Sequence, residues 1–184
     1  RNELKKNVTP DTCFLSIDIA SANYSILKLI DDQKELGSDW EDLCRKLNIH
    51  PTLAMSKSFR QLLFGNLNPK RLQKLQHTSM LELYKDLKAV GVAEEAIVFL
   101  SHDEIILKGA NWNNLFEAAN LMPTKHTFPV FKLTYYKLEC ITKDIFVKTV
   151  YDIITDEVLY KTLIGVPGNQ FYLYFKRYII NEEV

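Results

Sequence analysis

The stretch Phe99 to Gly109, FLSHDEIILKG, narrows the possible folds of this chain more than any other segment. Two apolar runs, AIVFL and IIL, stand on either side of His102, Asp103 and Glu104. Short apolar runs bounded by polar residues read as buried strands, and the polar break between them reads as a tight hairpin turn. The segment TCFLSIDIA, residues 12–20, has the same texture and carries Asp18 near its C-terminal end. A carboxylate at the tip of a buried strand is costly unless it is paired, hydrogen-bonded or bound to a cation. If the two strands lie side by side, Asp18 and Asp103 meet. Such a pair repels itself and is stabilised by a divalent cation with oxygen ligands, typically Mg²⁺. A bridged metal pair can activate a nucleophile and stabilise a leaving oxygen in phosphoryl transfer. For either residue alone a plainer reading stays open: Asp18 caps the helix starting near Ser21, and Asp103 is a turn former. Their occurrence in the same context favours the paired reading.

The rest of the chain supplies the frame. SANYSILKLIDDQ reads as a helix with Ser21 at its N-cap, and GSDWEDLCRKLNI as a short helix capped by Ser38 or Asp39. PTLAMSKSFRQLLFG reads as one helix from Pro51 to Gly65, and Pro69 opens a longer one ending at Gly91. NWNNLFEAANLM is a further helix, stopped by Pro123. From Phe128 the texture changes. FPVFKLTYYKLECI, IFVKTVYDII, EVLYKTLIGV and QFYLYFKRYII alternate β-branched or aromatic residues with polar ones, and short turns separate them. That pattern predicts an antiparallel meander of four strands. The expected fold is α+β: an antiparallel sheet with helices on one side, followed by a C-terminal antiparallel β-meander. The expected division is an α+β domain over residues 1–127, with a basic helical segment at 51–90, and a β-rich extension over 128–184 packed on or continuing the sheet.

With 184 residues, 47% of them hydrophobic, the chain is long and apolar enough for a sizeable core. Its formal net charge is zero, so any attraction to polyanions must be local. One such excess exists. From His50 to Leu81 there is no acidic residue, but Lys57, Arg60, Lys70, Arg71 and Lys74 are all present. Lys57 and Arg60 are three apart on one helix face and suit a triphosphate or a nucleic-acid backbone. The alternative is a solvated helix face balanced by the acidic run Asp31 to Asp42.

Other constellations are weaker. Cys13, Cys44 and Cys140 suggest neither a disulfide framework nor a zinc site, which favours a reducing, intracellular compartment. The four histidines lack metal-ligand spacing, and Gly165 and Gly168 in GVPGN read as a turn. Ser101 next to His102 is no catalytic pair, because neighbours on a strand point to opposite faces. Phe171, Tyr172, Tyr174, Phe175 and Tyr178 are candidates for base stacking if they lie on a sheet. No apolar run approaches a membrane span, so no membrane partner is expected. The chain opens on Arg1, as expected of a processed product or a piece of something longer.

The order of these features resembles family A DNA polymerases, the group of bacterial DNA polymerase I. SIDIASANYSIL is similar to the family's first motif, a strand ending in a catalytic aspartate and running into a helix. SKSFRQLLFG is similar to the second, a helix with an arginine and a lysine on one face before Phe-Gly. LSHDEIILKGANWNNLFEAANLMPTKHTFPVF is similar to the third, a His-Asp-Glu hairpin followed by a strand, a helix and a last strand. The resemblance covers roughly residues 12–133 and implies a palm-like sheet. It implies Asp18 and Asp103 as the metal-binding carboxylates, Glu104 as an accessory acid and His102 as a contact to the primer terminus. Arg60 stands where the family has its phosphate-binding lysine, and Phe64 where it packs on the incoming nucleotide.

Some positions depart from the family pattern. Asn23 replaces the glutamate that discriminates against ribose, Asn68 replaces a tyrosine, and Ser56 replaces an arginine for which neighbouring Lys57 can substitute. The 85-residue spacing from Asp18 to Asp103 is about half that of typical members. It is closer to the compact palm of reverse transcriptases, whose D-x-x-x-A pattern Ala22 also fits. The expected function is two-metal transfer of a nucleotide to a nucleic-acid 3′ end, using Mg²⁺ or Mn²⁺. Its partners would be a primer–template, a nucleoside triphosphate and further protein domains. Lys70, Arg71 and Lys74 would then join His102 in binding nucleic acid, and Asn23 would join Lys57, Arg60 and Phe64 at the nucleotide. The alternative is a catalytically inactive, palm-derived interaction module in a nucleic-acid-processing assembly. A single-metal nuclease using the same carboxylates is a weaker third possibility.

Overall fold

A computed structural model describes residues 9, 12–31, 35–66, 69–120, 131–152 and 154–181. Asn68, Pro123, the start of FPVFKL and the expected boundary at 127/128 lie outside the described residues.

The chain is α+β with one six-stranded antiparallel sheet. In chain order come β1 (Cys13–Ile19), α1 (Ala22–Leu29), α2 (Trp40–Lys46), α3 (Pro51–Ala54), α4 (Lys57–Gly65) and α5 (Pro69–Ala89). Then follow β2 (Ile97–Leu100), β3 (Glu104–Gly109), α6 (Trp112–Asn120), β4 (Phe131–Thr142), β5 (Ile145–Tyr151), β6 (Val158–Ile164) and α7 (Phe171–Phe175). The strand order is β2-β3-β1-β4-β5-β6, and every neighbouring pair is antiparallel. Strands β4 to β6 thus continue the same sheet. The first four strands form a split β-α-β arrangement, with β3 inserted between β1 and β2.

β1 is buried on both faces, which explains its nearly unbroken apolar run. Leu15, Ile17 and Ile19, with Ile105 and Leu107 of β3, pack under Ile26 of α1, Met80, Leu83 and Leu87 of α5, and Leu115 of α6. On the opposite face Phe14 stacks on Tyr136 at 5.3 Å, beside Ile106, Phe146 and Val150. Asp18 and Ser16 share this second face with Phe14, since side chains alternate along a strand. A third cluster joins Tyr24 of α1, Trp40 of α2, Ala54 of α3 and Phe64 of α4. Its hub is Trp40, whose Nε1 donates to the Ala54 carbonyl at 2.6 Å and whose ring meets Phe64 edge-on at 5.4 Å. This cluster fixes α4 against α1.

Several expectations need correction. QFYLYFKRYII is helical, not a strand. A 3₁₀ turn at Gly168–Gln170 leads into α7, and a π-helical turn follows at Lys176–Ile180. Phe171 stacks on Phe175 at 5.9 Å and Tyr174 on Tyr178 at 5.8 Å, while Lys176 lies 5.2 Å over the Tyr172 ring. These i,i+4 pairs form only in a helix and outweigh the β propensity of the individual residues. The meander is therefore three strands, and the stacking surface expected of a fourth does not form. The segment 51–65 is two helices, because Ser56 breaks it: its side chain accepts from the Phe59 amide at 3.2 Å and caps α4. Ser21 precedes α1 in the left-handed region (φ 49°) without capping it, whereas Asp39 caps α2 by accepting from the Asp42 amide at 2.7 Å. Among the described residues no helix is long and apolar enough to cross a membrane.

Candidate active site

Strand register places Glu104, Asp18 and Lys132 in one row across β3, β1 and β4, all on the same face. The Ile19 amide donates to the Asp103 carbonyl at 2.9 Å, so the His-Asp-Glu turn sits against the end of β1. Ser101 holds that turn. Its hydroxyl receives the Glu104 amide at 3.1 Å and lies 3.1 Å from the Asp103 carboxylate, to which it donates. The turn is thus built by a serine, which leaves Asp103 exposed at the tip.

Asp18 does not cap α1. Among the described residues its carboxylate accepts no hydrogen bond. Its pKa is pushed up from 3.8 to about 6, first by burial and then by the like charges of Asp103 and Glu104. Lys132 and Lys57 oppose the shift but do not cancel it. Asp18 is thus a half-buried carboxylate with neighbouring anions and no adequate partner, the condition under which a bound cation is most favourable.

Glu104 is turned toward the sheet. It accepts from the Ser16 hydroxyl at 2.6 Å. Its charge adds to the effect of burial in raising the Tyr136 phenol, and partly offsets the burial that lowers the Lys148 ammonium. The Lys148 Nζ lies 3.9 Å from the centre of the Tyr136 ring. Glu104 therefore has its own partner, unlike Asp18.

Asp18 and Asp103 open onto a cleft of about 780 Å³. Lys57 and Arg60 line it from α4, and Lys132 lines it from β4. Arg60 is also placed over the Trp40 ring, 6.0 Å from its centre. Asn23 lines the cleft from α1, and its Oδ1 accepts from Nε2 of the buried Gln76 at 2.8 Å. Phe64 reaches the lining but is only 3% exposed, because its ring is packed among Trp40 and Tyr24. The structure thus brings Asp18, Asp103, Asn23, Lys57, Arg60 and Phe64 to one cleft. It does not bring Lys70, Arg71 or Lys74 there; they lie on the exposed side of α5, which presents Gln73 and Gln76 to the cleft instead. His102 lies outside the lining, its ring 5.5 Å from that of His77 on α5.

Sequence reasoning missed Lys132, Gln76 and Ser101. Lys132 carried no signal, because its place opposite Asp18 is a matter of register between strands far apart in sequence. Gln76 was detectable in principle: it falls on the apolar stripe Leu72, Met80, Leu83 and Leu87, where a polar residue needs a partner. Ser101 was visible as a turn-forming hydroxyl before Asp103.

No known family model matches the chain. No curated protein matches it, and no solved structure does.

Proposed function

We propose that this chain is a polymerase-type nucleotidyltransferase domain that binds a divalent cation and transfers a nucleotide to a nucleic-acid 3′ end. One observation carries the reading: two carboxylates on adjoining chain segments, one of them half-buried with no hydrogen bond among the described residues, line the same cleft as Lys57 and Arg60. The order of hairpin, helix and last strand also agrees with what the resemblance implies.

The donor set fits Mg²⁺ or Mn²⁺. Among the described residues no group of three or more His, Cys, Asp or Glu side chains converges as a ready-made metal cage. Mg²⁺ does not need one, since it is commonly held by one or two carboxylates together with substrate phosphates and water. Asp18 and Asp103 would supply those carboxylates. When bound, the cation lowers the pKa of an attacking oxygen and neutralises charge on the phosphoryl group.

The chain's own groups do the rest. Lys57 and Arg60 neutralise the non-transferred phosphates, where charge builds as the leaving group departs. Asp18 and Asp103 fix the reacting centre in the same cleft. With a pKa near 6, Asp18 is mostly ionised at neutral pH and available as a ligand. The hydrogen bond from Gln76 orients the Asn23 carboxamide at the cleft wall.

The test is primer extension with Mg²⁺ or Mn²⁺ and all four nucleoside triphosphates. Extension by wild type, and its loss in Asp18→Asn and Asp103→Asn, is the expected result. An inert wild type that behaves like both variants favours the second reading, a palm-derived interaction module. That reading has one specific observation behind it: the Phe64 ring is already packed by protein and offers little surface to a base.

A further inference from the structure

The cleft around Asp18 draws cations from two elements, α4 and β4, and only the first set is explained by a triphosphate. Lys57 and Arg60 come from α4. Lys132 comes from β4, directly across from Asp18 in the sheet, in the row that runs Glu104, Asp18, Lys132. Its side chain is exposed and lines the cleft. Among the described residues no carboxylate lies within ion-pair distance of it, although Asp18 is its cross-strand neighbour. A lysine held at an acidic corner without closing an ion pair leaves its ammonium available to an incoming anion.

In-line phosphoryl transfer places the attacking oxygen and the leaving group on opposite sides of the phosphorus. If Lys57 and Arg60 receive the leaving phosphates, the β4 side of Asp18, where Lys132 stands, is left for the strand that carries the attacking hydroxyl. The last phosphodiester of that strand lies next to the reacting 3′ end. We propose that Lys132 is a positioning residue that binds a backbone phosphate of the acceptor nucleic-acid strand, beside its 3′ terminus. This rests on the nucleotidyltransferase reading above, and it adds a strand-binding role for β4 that the motifs around Asp18 and Asp103 do not contain.

A free nucleotide phosphate is the other source of the same anion, and two binding arms separate them. In the first, a labelled primer–template is titrated with wild type, Lys132→Ala, Lys132→Arg and Lys57→Ala over a range of salt, without nucleotide. Lys132→Ala is expected to weaken binding several-fold and to reduce the slope of log affinity against log salt by about 1, whereas Lys132→Arg keeps the slope. In the second, nucleoside triphosphate with Mg²⁺ is titrated without a strand. There Lys57→Ala is expected to lose affinity and Lys132→Ala to stay near wild type. An unchanged salt slope in Lys132→Ala overturns the inference, as does an equal loss in both arms. If wild type extends primers while Lys132→Ala keeps the wild-type KM for primer, the inference fails and the function stands. If wild type binds neither strand nor triphosphate, both fail together.

Discussion

Carboxylates cluster around α2 and at the end of β1, and Asp42 of the first cluster and Asp18 of the second are in opposite electrostatic states. Near α2, Asp31, Asp39 and Asp42 are each answered locally. Asp31 accepts from the amides of Glu35 and Leu36, at 3.1 and 2.9 Å. Asp39 caps the helix. Asp42 accepts from the Ser38 amide at 3.0 Å, with Lys46 at 3.6 Å, and its carboxyl is held below the ordinary range mainly by that backbone hydrogen bond. At the end of β1, Asp18 lies among acids, accepts no hydrogen bond among the described residues and is raised to about 6. The first group uses charge to close loops and start a helix. In the second, Glu104 and Asp103 accept from Ser16 and Ser101, and Asp18 keeps a charge with no hydrogen-bond donor among the described residues, the charge that the proposed cation would answer.

This contrast can be tested in four ways. The largest effect is on catalysis. Asp18→Asn or Asp103→Asn is expected to cut nucleotide transfer by on the order of 10³-fold or more, about 4 kcal/mol of transition-state stabilisation. Asp39→Ala should leave the transfer rate per folded molecule unchanged, and single-turnover primer extension reads both. Next is the metal response. A saturating divalent cation, at roughly 100 times its Kd, stabilises the fold by about 2.7 kcal/mol. At about 2–4 °C per kcal/mol for a chain of this size, a rise of several degrees in Tm with Mg²⁺ or Mn²⁺ is expected in wild type. Asp18→Asn should show little of it.

Third is the pH response without metal. Asp18 is easier to protonate in the fold than in the unfolded chain, so its contribution to stability falls as pH rises from about 4 to about 6 and is level above that. Discounted for partial exposure, ionised Asp18 costs roughly 1–2 kcal/mol. Asp18→Asn should therefore raise Tm at pH 7 and lose that advantage near pH 4. Asp42 has the opposite sign: its lowered pKa stabilises above the usual carboxylate range, and that stabilisation is lost as acid protonates it. The smallest effect is at the helix cap. Asp39→Ala should cost about 1 kcal/mol at neutral pH, measured by chemical denaturation, and Asp39→Asn much less.

Legibility followed the range of the interaction. The hairpin around His102–Glu104 was readable because apolar runs and a polar turn are local. A cap at Ser38 or Asp39 was readable for the same reason, and the structure selects Asp39. The helix at 171–180 was not, because aromatic residues suit a half-buried strand as well, and only the partners they find decide between the two. The split at Ser56 was missed because the apolar pattern of 51–65 continues through it, whereas the capping hydrogen bond depends on where the backbone turns. Of the basic segment, the sequence pointed to five cations on an equal footing. The fold then divides them: Lys57 and Arg60 line the cleft, while Lys70, Arg71 and Lys74 are exposed on α5 outside its lining.

The amino-acid order alone establishes that Asp18 and Asp103 each end an apolar run, and that a basic, acid-free segment separates them. These are facts of neighbouring residues. It cannot say that β3 lies beside β1 with Asp18 opposite Glu104, or that Lys132 completes the row from 114 residues away. Register between distant strands is chosen by the packing of both sheet faces, Leu15 and Ile17 under α5 on one side and Phe14 on Tyr136 on the other. A slip of one residue would turn Asp18 into the helical core, so the burial of those apolar side chains is what holds Asp18 and Lys132 at the cleft.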